Sequence, residues 1–128
     1  MTPSQQIAIG IGCSSRASSD DILELIHSCA SELPAASILA TLDRRAAMGT
    51  RVAKSLGLRL ILFPASELAT VEGISTHSAV ALKRTETANV AEASALASLG
   101  PEARLIVRRQ TGRFCTCAVA TLTVEGNE

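Results

Sequence analysis

Short apolar runs alternate with helical patterns along the first half of this chain, and that alternation limits the fold more than any other feature. Continuous apolar runs lie at 7–11, 37–42 and 58–63, which is typical of strands that are buried on both faces. Apolar residues at helical spacing follow the first two runs, and these stretches end at Pro34 and Gly57. The alternation predicts a parallel sheet with helices on both faces.

The second half adds helices and a hairpin. The predicted helices are 66–71, 78–84 and one that is capped by Asn89 and ends at Gly100, with Val90, Ala93, Leu96 and Ala97 facing inward. Strands at 104–109 and 114–123 enclose a polar turn, which predicts an antiparallel hairpin. The prediction is therefore one domain over 1–128, a three-layer α/β/α fold whose mixed, mostly parallel sheet has about five strands and ends in this hairpin.

Composition excludes several functional classes. The chain has 12 basic and 12 acidic side chains and only two aromatic residues, whereas nucleic-acid binding favours a basic excess or aromatic stacking platforms. No signal peptide or transmembrane span is found, so we expect a cytoplasmic protein whose four cysteines are reduced. The basic residues are ten Arg and two Lys; this bias fits either an anionic ligand or genome composition.

The segment after the first strand, 10–19, is the best candidate for ligand binding. Its small residues let a ligand approach the backbone, and the following helix, with a capping-box-like start at Ser18 and Asp21, points N–H groups at an anion. A glycine turn followed by an ordinary helix cap explains the same residues. The candidate ligand-binding residues here are Gly10, Gly12, Cys13, Ser14, Ser15, Arg16 and Ser18.

Asp43, Arg44 and Arg45 follow the second strand just as the glycine segment follows the first. Since the carboxyl ends of parallel strands meet at one edge of a sheet, we add Asp43 and Arg44 to the candidate site. An exposed salt bridge is the alternative. Three further arginines, which flank the terminal hairpin, are interpreted only as charges that protect an edge strand: Arg108, Arg109 and Arg113.

Other chemistry has weaker support. Gly10, Gly12 and Ser15 supply two of the three glycines of a dinucleotide fingerprint, so no cofactor is predicted. Cys115 and Cys117 are two apart and face one side of a strand, and no cysteine or histidine spacing resembles a metal site. Catalytic residues are therefore not assigned, although Cys13 near a helix start is a candidate reactive thiol, whereas His27 is interpreted as a boundary residue.

These residues resemble a known family, the cobalamin biosynthesis proteins CobE and the C-terminal domain of CbiG. The resemblance covers nearly the whole chain and depends on the order and spacing of several blocks. The matching blocks are Gly10, Gly12, Cys13, Arg16 and Ser18; 41–44; 56–57 through 63–68; Thr76, Ser78 and Val80; 90–93; 104–109; and 117–120. The chain departs from the family pattern at 45–48 and at 85–87.

The resemblance implies a cobalamin biosynthesis protein, of the aerobic route because the length is that of CobE, that binds a corrinoid or precorrin. Such macrocycles carry many carboxylates, which suit an arginine-rich rim. An accessory or carrier role is the first hypothesis, with other enzymes of the pathway as further partners. The alternatives are a hydrolase or rearrangement enzyme acting on a precorrin through Asp43 or Cys13, and a pure interaction module.

Overall fold

The computed structural model describes residues 4–31, 36–71 and 90–124. The strands are β1 (Ser4–Cys13), β2 (Ile38–Leu42), β3 (Arg59–Phe63), β4 (Arg104–Gly112) and β5 (Cys115–Val124). The helices are α1 (Ser19–Ala30), α2 (Ala46–Leu56), α3 (Ala65–Leu68) and α4 (Val90–Leu99), and a 3-10 turn, Asp43–Arg45, precedes α2. The predicted loop at 72–76, His77, the predicted helix at 78–84 and Asn89 lie outside the described residues.

The strands form one mixed sheet in the order β3-β2-β1-β5-β4. β1 pairs with β2, and β2 with β3, in parallel, whereas β5 runs antiparallel to both β1 and β4. Four of the five described strands therefore run in the same direction, and β4 and β5 form the predicted antiparallel hairpin. This confirms the predicted α/β fold class.

Helices cover both faces of the sheet because the strand residues are apolar on both. The face that carries Ile7, Ile9 and Ile11 packs against α1 and α2. The opposite face, which carries Ala8, Ala118 and Ala120, packs against α4. The carboxyl ends of β1 and β2 are joined further by Thr41, whose hydroxyl donates to the carbonyl of Ile11 at 2.8 Å.

α4 lies unusually close to the sheet because small residues face each other across the interface. A Cβ added to Gly10 would overlap the carbonyl oxygen of Ala91. Ser94 Oγ donates to the carbonyl oxygen of Ala40 at 3.2 Å, and the fully buried Glu92 accepts a hydrogen bond from the N–H of Arg109 at 2.7 Å. The prediction that one face of α4 points inward is therefore too restrictive, because every residue from 90 to 96 is buried.

The predicted start of α1 is confirmed and the predicted end of β1 is not. Ser18 Oγ accepts from the Asp21 N–H and Asp21 Oδ2 accepts from the Ser18 N–H, both at 3.0 Å, which completes a capping box. β1 continues to Cys13 because β5 pairs with it along its full length, so Gly12 and Cys13 belong to the strand rather than to the loop.

Candidate functional site

The loop after β1 is a tight turn that exposes its polar side chains. Ser14 N–H donates to the carbonyl of Phe114 at 3.0 Å, which ties the loop to the β4–β5 turn. Ser14 Oγ accepts from the Arg16 N–H at 3.1 Å, and the side chains of Ser14, Ser15 and Arg16 are exposed. Ala17 is buried and anchors the turn beside α1.

The second predicted loop meets the first at a cavity of about 240 Å³. It lies where the 3-10 turn leads from β2 into α2. Its lining combines hydroxyls, three guanidinium groups and small apolar side chains: Cys13, Ser14, Ser15, Ala17, Arg44, Arg45, Ala47, Met48 and Arg51. We call this the arginine cavity. This lining brings together four of the candidate residues that the sequence predicted to lie close to each other: Cys13, Ser14, Ser15 and Arg44.

Arg45 is the most informative residue of the arginine cavity. Its Nε is buried and has no hydrogen-bond partner among the described residues. A buried polar nitrogen without a partner is costly, although the Arg45 side chain as a whole is half-buried. Sequence reasoning placed Arg45 with Arg16 and Arg44 in the arginine-rich rim, but not among the candidate site residues. Arg45 also lines the arginine cavity, so its guanidinium is a group there with hydrogen-bonding capacity left for a carboxylate.

A second cavity, of about 310 Å³, lies on the other side of Cys13 and Ser14. We call it the hairpin cavity, because residues at the β4–β5 turn complete it: its lining is Gly12, Cys13, Ser14, Thr111, Gly112, Phe114, Cys115 and Thr116. The guanidinium carbon of Arg16 lies 4.7 Å from the centroid of the Phe114 ring, and that of Arg113 lies 5.6 Å from it. Arg16 is thus directed to the hairpin side of the loop.

Sequence reasoning missed the contribution of this hairpin. Thr111 and Phe114 were not singled out, and Arg113 was interpreted only as an edge charge. No local signal pointed to it, because the pairing of β5 with β1 that brings the hairpin turn beside the loop after β1 joins the two ends of the chain. The spacing of Arg51, which follows Arg44 by about two helical turns, was an available signal in α2.

Three predicted residues have surroundings that account for them without a ligand. Gly10 lies beneath α4, where its missing side chain is required for helix packing. Ser18 uses its hydroxyl as the cap of α1. Asp43 is exposed on the 3-10 turn, beside Arg44 and Arg45, and is not among the residues that line either cavity described above.

The four cysteines lie together on the α1 side of the sheet. Cys13 is the cross-strand partner of Cys115, and Cys29 on α1 is hydrogen-bonded to Cys117. Burial raises the pKa of the Cys13 thiol, although the charge of Arg45 opposes this, and burial raises the pKa of Cys115 to about 11. The Cys29 hydrogen bond, with burial, holds the pKa of Cys117 far above its ordinary value. Cys13 therefore stays a neutral thiol near pH 7, a poor state for a nucleophile.

Neither a metal centre nor a histidine site is seen in this part of the molecule. Among residues 4–31, 36–71 and 90–124, no group of three or more His, Cys, Asp or Glu side chains is placed to hold a metal ion. His27 is exposed in the last turn of α1. In the same residues, no helix has the length and apolar character needed to cross a bilayer.

A third cavity, of about 340 Å³, lies between α3 and α4. The charged side chain in its lining is Glu67, and it also adjoins Gly100 at the carboxyl end of α4, where the helix dipole is negative. An anionic ligand is therefore disfavoured there and favoured in the arginine cavity.

Comparisons with known proteins show which structures this fold is similar to. The structure of CobE, a protein from the cobalamin (vitamin B12) biosynthetic pathway, is similar to 98% of this chain over 96% of its own, with a TM-score of 0.76 and 24% identity. The cobalamin biosynthesis protein chiG from Agrobacterium tumefaciens str. C58 is 26% identical, with a TM-score of 0.66, and covers 94% of this chain and 99% of its own. No curated protein matches the chain.

The family itself is shown by the sequence. The family model for the cobalamin synthesis G C-terminus matches residues 7–120. The chain belongs to this CobE/CbiG C-terminal family and is a protein of cobalamin biosynthesis.

Proposed function

We propose that the protein binds a corrinoid or precorrin intermediate of the aerobic cobalamin pathway, in the cytoplasm, as an accessory or carrier protein. The observation that carries this proposal is the arginine cavity with the buried, unpartnered Nε of Arg45. A guanidinium presents a planar fork that matches the two oxygens of a carboxylate, and corrinoids are macrocycles edged with carboxylates. The aerobic route is proposed from the resemblance to CobE.

The cavity shape supports peripheral binding rather than enclosure. The arginine cavity, at about 240 Å³, has room for one acidic side chain of the macrocycle, with Ser14 and Ser15 as additional donors at its edge. The ring itself would lie across the exposed loop that separates the two cavities. The proposed binding surface is formed by Gly12, Cys13, Ser14, Ser15, Arg16, Arg44 and Arg45. Gly10 and Ser18 support the backbone around it, and Asp43 lies exposed beside Arg44.

The alternative is an enzyme that opens or rearranges a precorrin. The raised pKa of Cys13 disfavours a thiolate nucleophile at neutral pH, which leaves Asp43 as the acidic candidate. The two functions differ in the fate of the ligand, because a carrier returns it with unchanged mass and an enzyme does not.

Titration with hydrogenobyrinic acid tests the proposal. We expect a change in its visible spectrum, co-elution with the protein, and an unchanged ligand mass. Arg45→Gln should weaken binding about ten-fold to a hundred-fold, the range for a lost charge-assisted hydrogen bond. Arg45→Lys keeps the charge but loses the planar fork of the guanidinium, so its affinity should lie between those of the wild type and Arg45→Gln.

Arg59→Gln is the matched control, since Arg59 is exposed at the start of β3 and its loss removes the same charge. It should bind like the wild type. If Arg59→Gln loses as much affinity as Arg45→Gln, the loss comes from the change in net charge and not from the arginine cavity. Absence of binding across a panel of pathway intermediates would refute the proposal, and a change of ligand mass would favour the enzyme.

A further inference from the structure

The β4–β5 turn carries a side chain that its backbone disfavours. Gly112 pairs with Cys115, so Arg113 and Phe114 form a two-residue turn. Phe114 has φ of 62° and is the one non-glycine residue with positive φ in 4–31, 36–71 and 90–124. The second position of a turn with positive φ favours glycine or asparagine, because a Cβ there crowds the backbone. Stability alone therefore does not explain a phenylalanine.

Burial does not explain Phe114 either. Its side chain is 39% exposed, although large apolar side chains are usually placed in the core. What the ring does contact is charge, since the guanidinium groups of Arg16 and Arg113 both lie within 6 Å of its centroid. Two cations held on one ring repel each other, so the arrangement becomes favourable when an anion lies between or beside them.

The position of this group relates it to the arginine cavity. Phe114 lines the hairpin cavity together with the hydroxyl-bearing residues Ser14, Thr111 and Thr116. Cys13 and Ser14 line both cavities, so the two lie on opposite sides of one short segment. A guanidinium that rests on an aromatic ring uses its face, which leaves its in-plane N–H groups directed outward for carboxylate oxygens.

We propose that Phe114 is a positioning residue that holds Arg16 and Arg113 as a clamp for a second carboxylate of the ligand. The protein then recognises a polycarboxylate at two points, the arginine cavity and this clamp, on either side of Cys13 and Ser14. The inference rests on the proposed corrinoid function. It adds that the protein recognises two acidic groups of the ligand. Selectivity would follow from the spacing of carboxylates rather than from the ring alone.

Phe114→Gly tests this directly because it removes the ring and relieves the backbone. We expect the midpoint of urea unfolding to stay unchanged or rise, while affinity for hydrogenobyrinic acid falls roughly ten-fold. Phe114→Tyr keeps a ring of the same shape and should bind like the wild type. Phe114→Asn, which also tolerates positive φ, provides a second ring-free variant and should reproduce the loss.

Two affinity measurements distinguish the clamp from a purely structural role of Phe114: one in a variant without the two arginines, and one with an uncharged ligand. In the Arg16→Gln, Arg113→Gln background, Phe114→Gly should cost no further affinity, because no guanidinium is left for the ring to hold. With the fully methyl-esterified corrinoid, the wild type and Phe114→Gly should bind equally weakly.

The outcomes separate this inference from the proposed function. If Arg45→Gln loses affinity and Phe114→Gly does not, the clamp is wrong and the corrinoid function stands. If both ring-free variants lose stability and affinity together, Phe114 is a structural residue and the clamp is also wrong. If the wild type binds no intermediate, the proposed function fails and the clamp fails with it.

Discussion

The interface between α4 and the sheet differs in kind from the rim at the carboxyl ends of β1 and β2. Under α4 the residues are small, fully buried and matched: Gly10 admits the backbone of Ala91, and Ser94 hydrogen-bonds the carbonyl of Ala40. At the rim, a few residues further along β1, Arg45 has a buried nitrogen without a partner and Phe114 has a strained backbone. Unsatisfied and strained groups concentrate where proteins bind ligands, so the contrast separates the stabilising region from the proposed binding region.

Gly10→Ala should give the largest effect on stability. The added methyl would overlap the carbonyl of Ala91, and α4 has to move away from β1 to accommodate it. We expect a loss of about 3 kcal/mol or more in the free energy of unfolding, measured by urea denaturation. Ser15→Ala at the exposed rim should change it by less than about 0.5 kcal/mol. Equal effects of the two substitutions would remove the distinction between the regions.

Alkaline pH should destabilise the protein through the cysteines beneath the rim. The pKa of Cys115 is about 11 in the folded protein against 9.0 for a free thiol, and the pKa of Cys117 is raised as well. Between these values the unfolded chain has lost the proton and the folded chain has kept it, so stability is full below about pH 9 and falls toward about pH 11. Cys115 accounts for about 3 kcal/mol of this fall.

The composition makes this measurement clean. The chain has no tyrosine and two lysines, so few other groups titrate in the same range. The hydrogen bond to Cys117 lowers the pKa of Cys29, which acts in the opposite direction and reduces the net contribution of that pair. Unfolding of Cys115→Ala should depend less steeply on alkaline pH than that of the wild type, and an identical slope would contradict the assignment.

Ser18→Ala should have a smaller effect than Gly10→Ala and should test where the rim ends. Its hydroxyl accepts the Asp21 N–H at the start of α1, and loss of such a cap costs about 1 kcal/mol. We expect this loss in urea unfolding with corrinoid affinity unchanged. A drop in affinity beyond that of a control in which Asp21→Ala breaks the same capping box would keep Ser18 within the binding surface.

Local patterns predicted the elements, because each depended on neighbours in the chain. The strands at 7–11, 37–42 and 58–63, the capping box at Ser18 and the closing hairpin all follow from periodicity and turn residues. Tertiary contacts decided the rest. The sequence could not show that β5 would extend β1 to Cys13, since that pairing joins the two ends of the chain.

The candidate site was likewise predictable only where local patterns define it. The second loop could be placed near the first because the carboxyl ends of parallel strands meet at one edge of a sheet, and the shared arginine cavity agrees with that. Burial of Arg45 Nε depends on tertiary packing, and no local pattern encodes it. Phe114 was missed because Gly112 and Arg113 resemble an ordinary hairpin turn. Nothing in the sequence indicates that the positive φ falls on Phe114.

Hydrogen exchange with and without hydrogenobyrinic acid tests the central claim, that the rim binds the ligand and the α4 interface only stabilises the fold. Amides are followed by mass spectrometry in peptides that cover the two regions. We expect ligand-induced protection at 12–18, 43–51 and 111–116, and unchanged exchange in α3 and α4. Protection centred on the cavity between Glu67 and Leu96 would contradict the account.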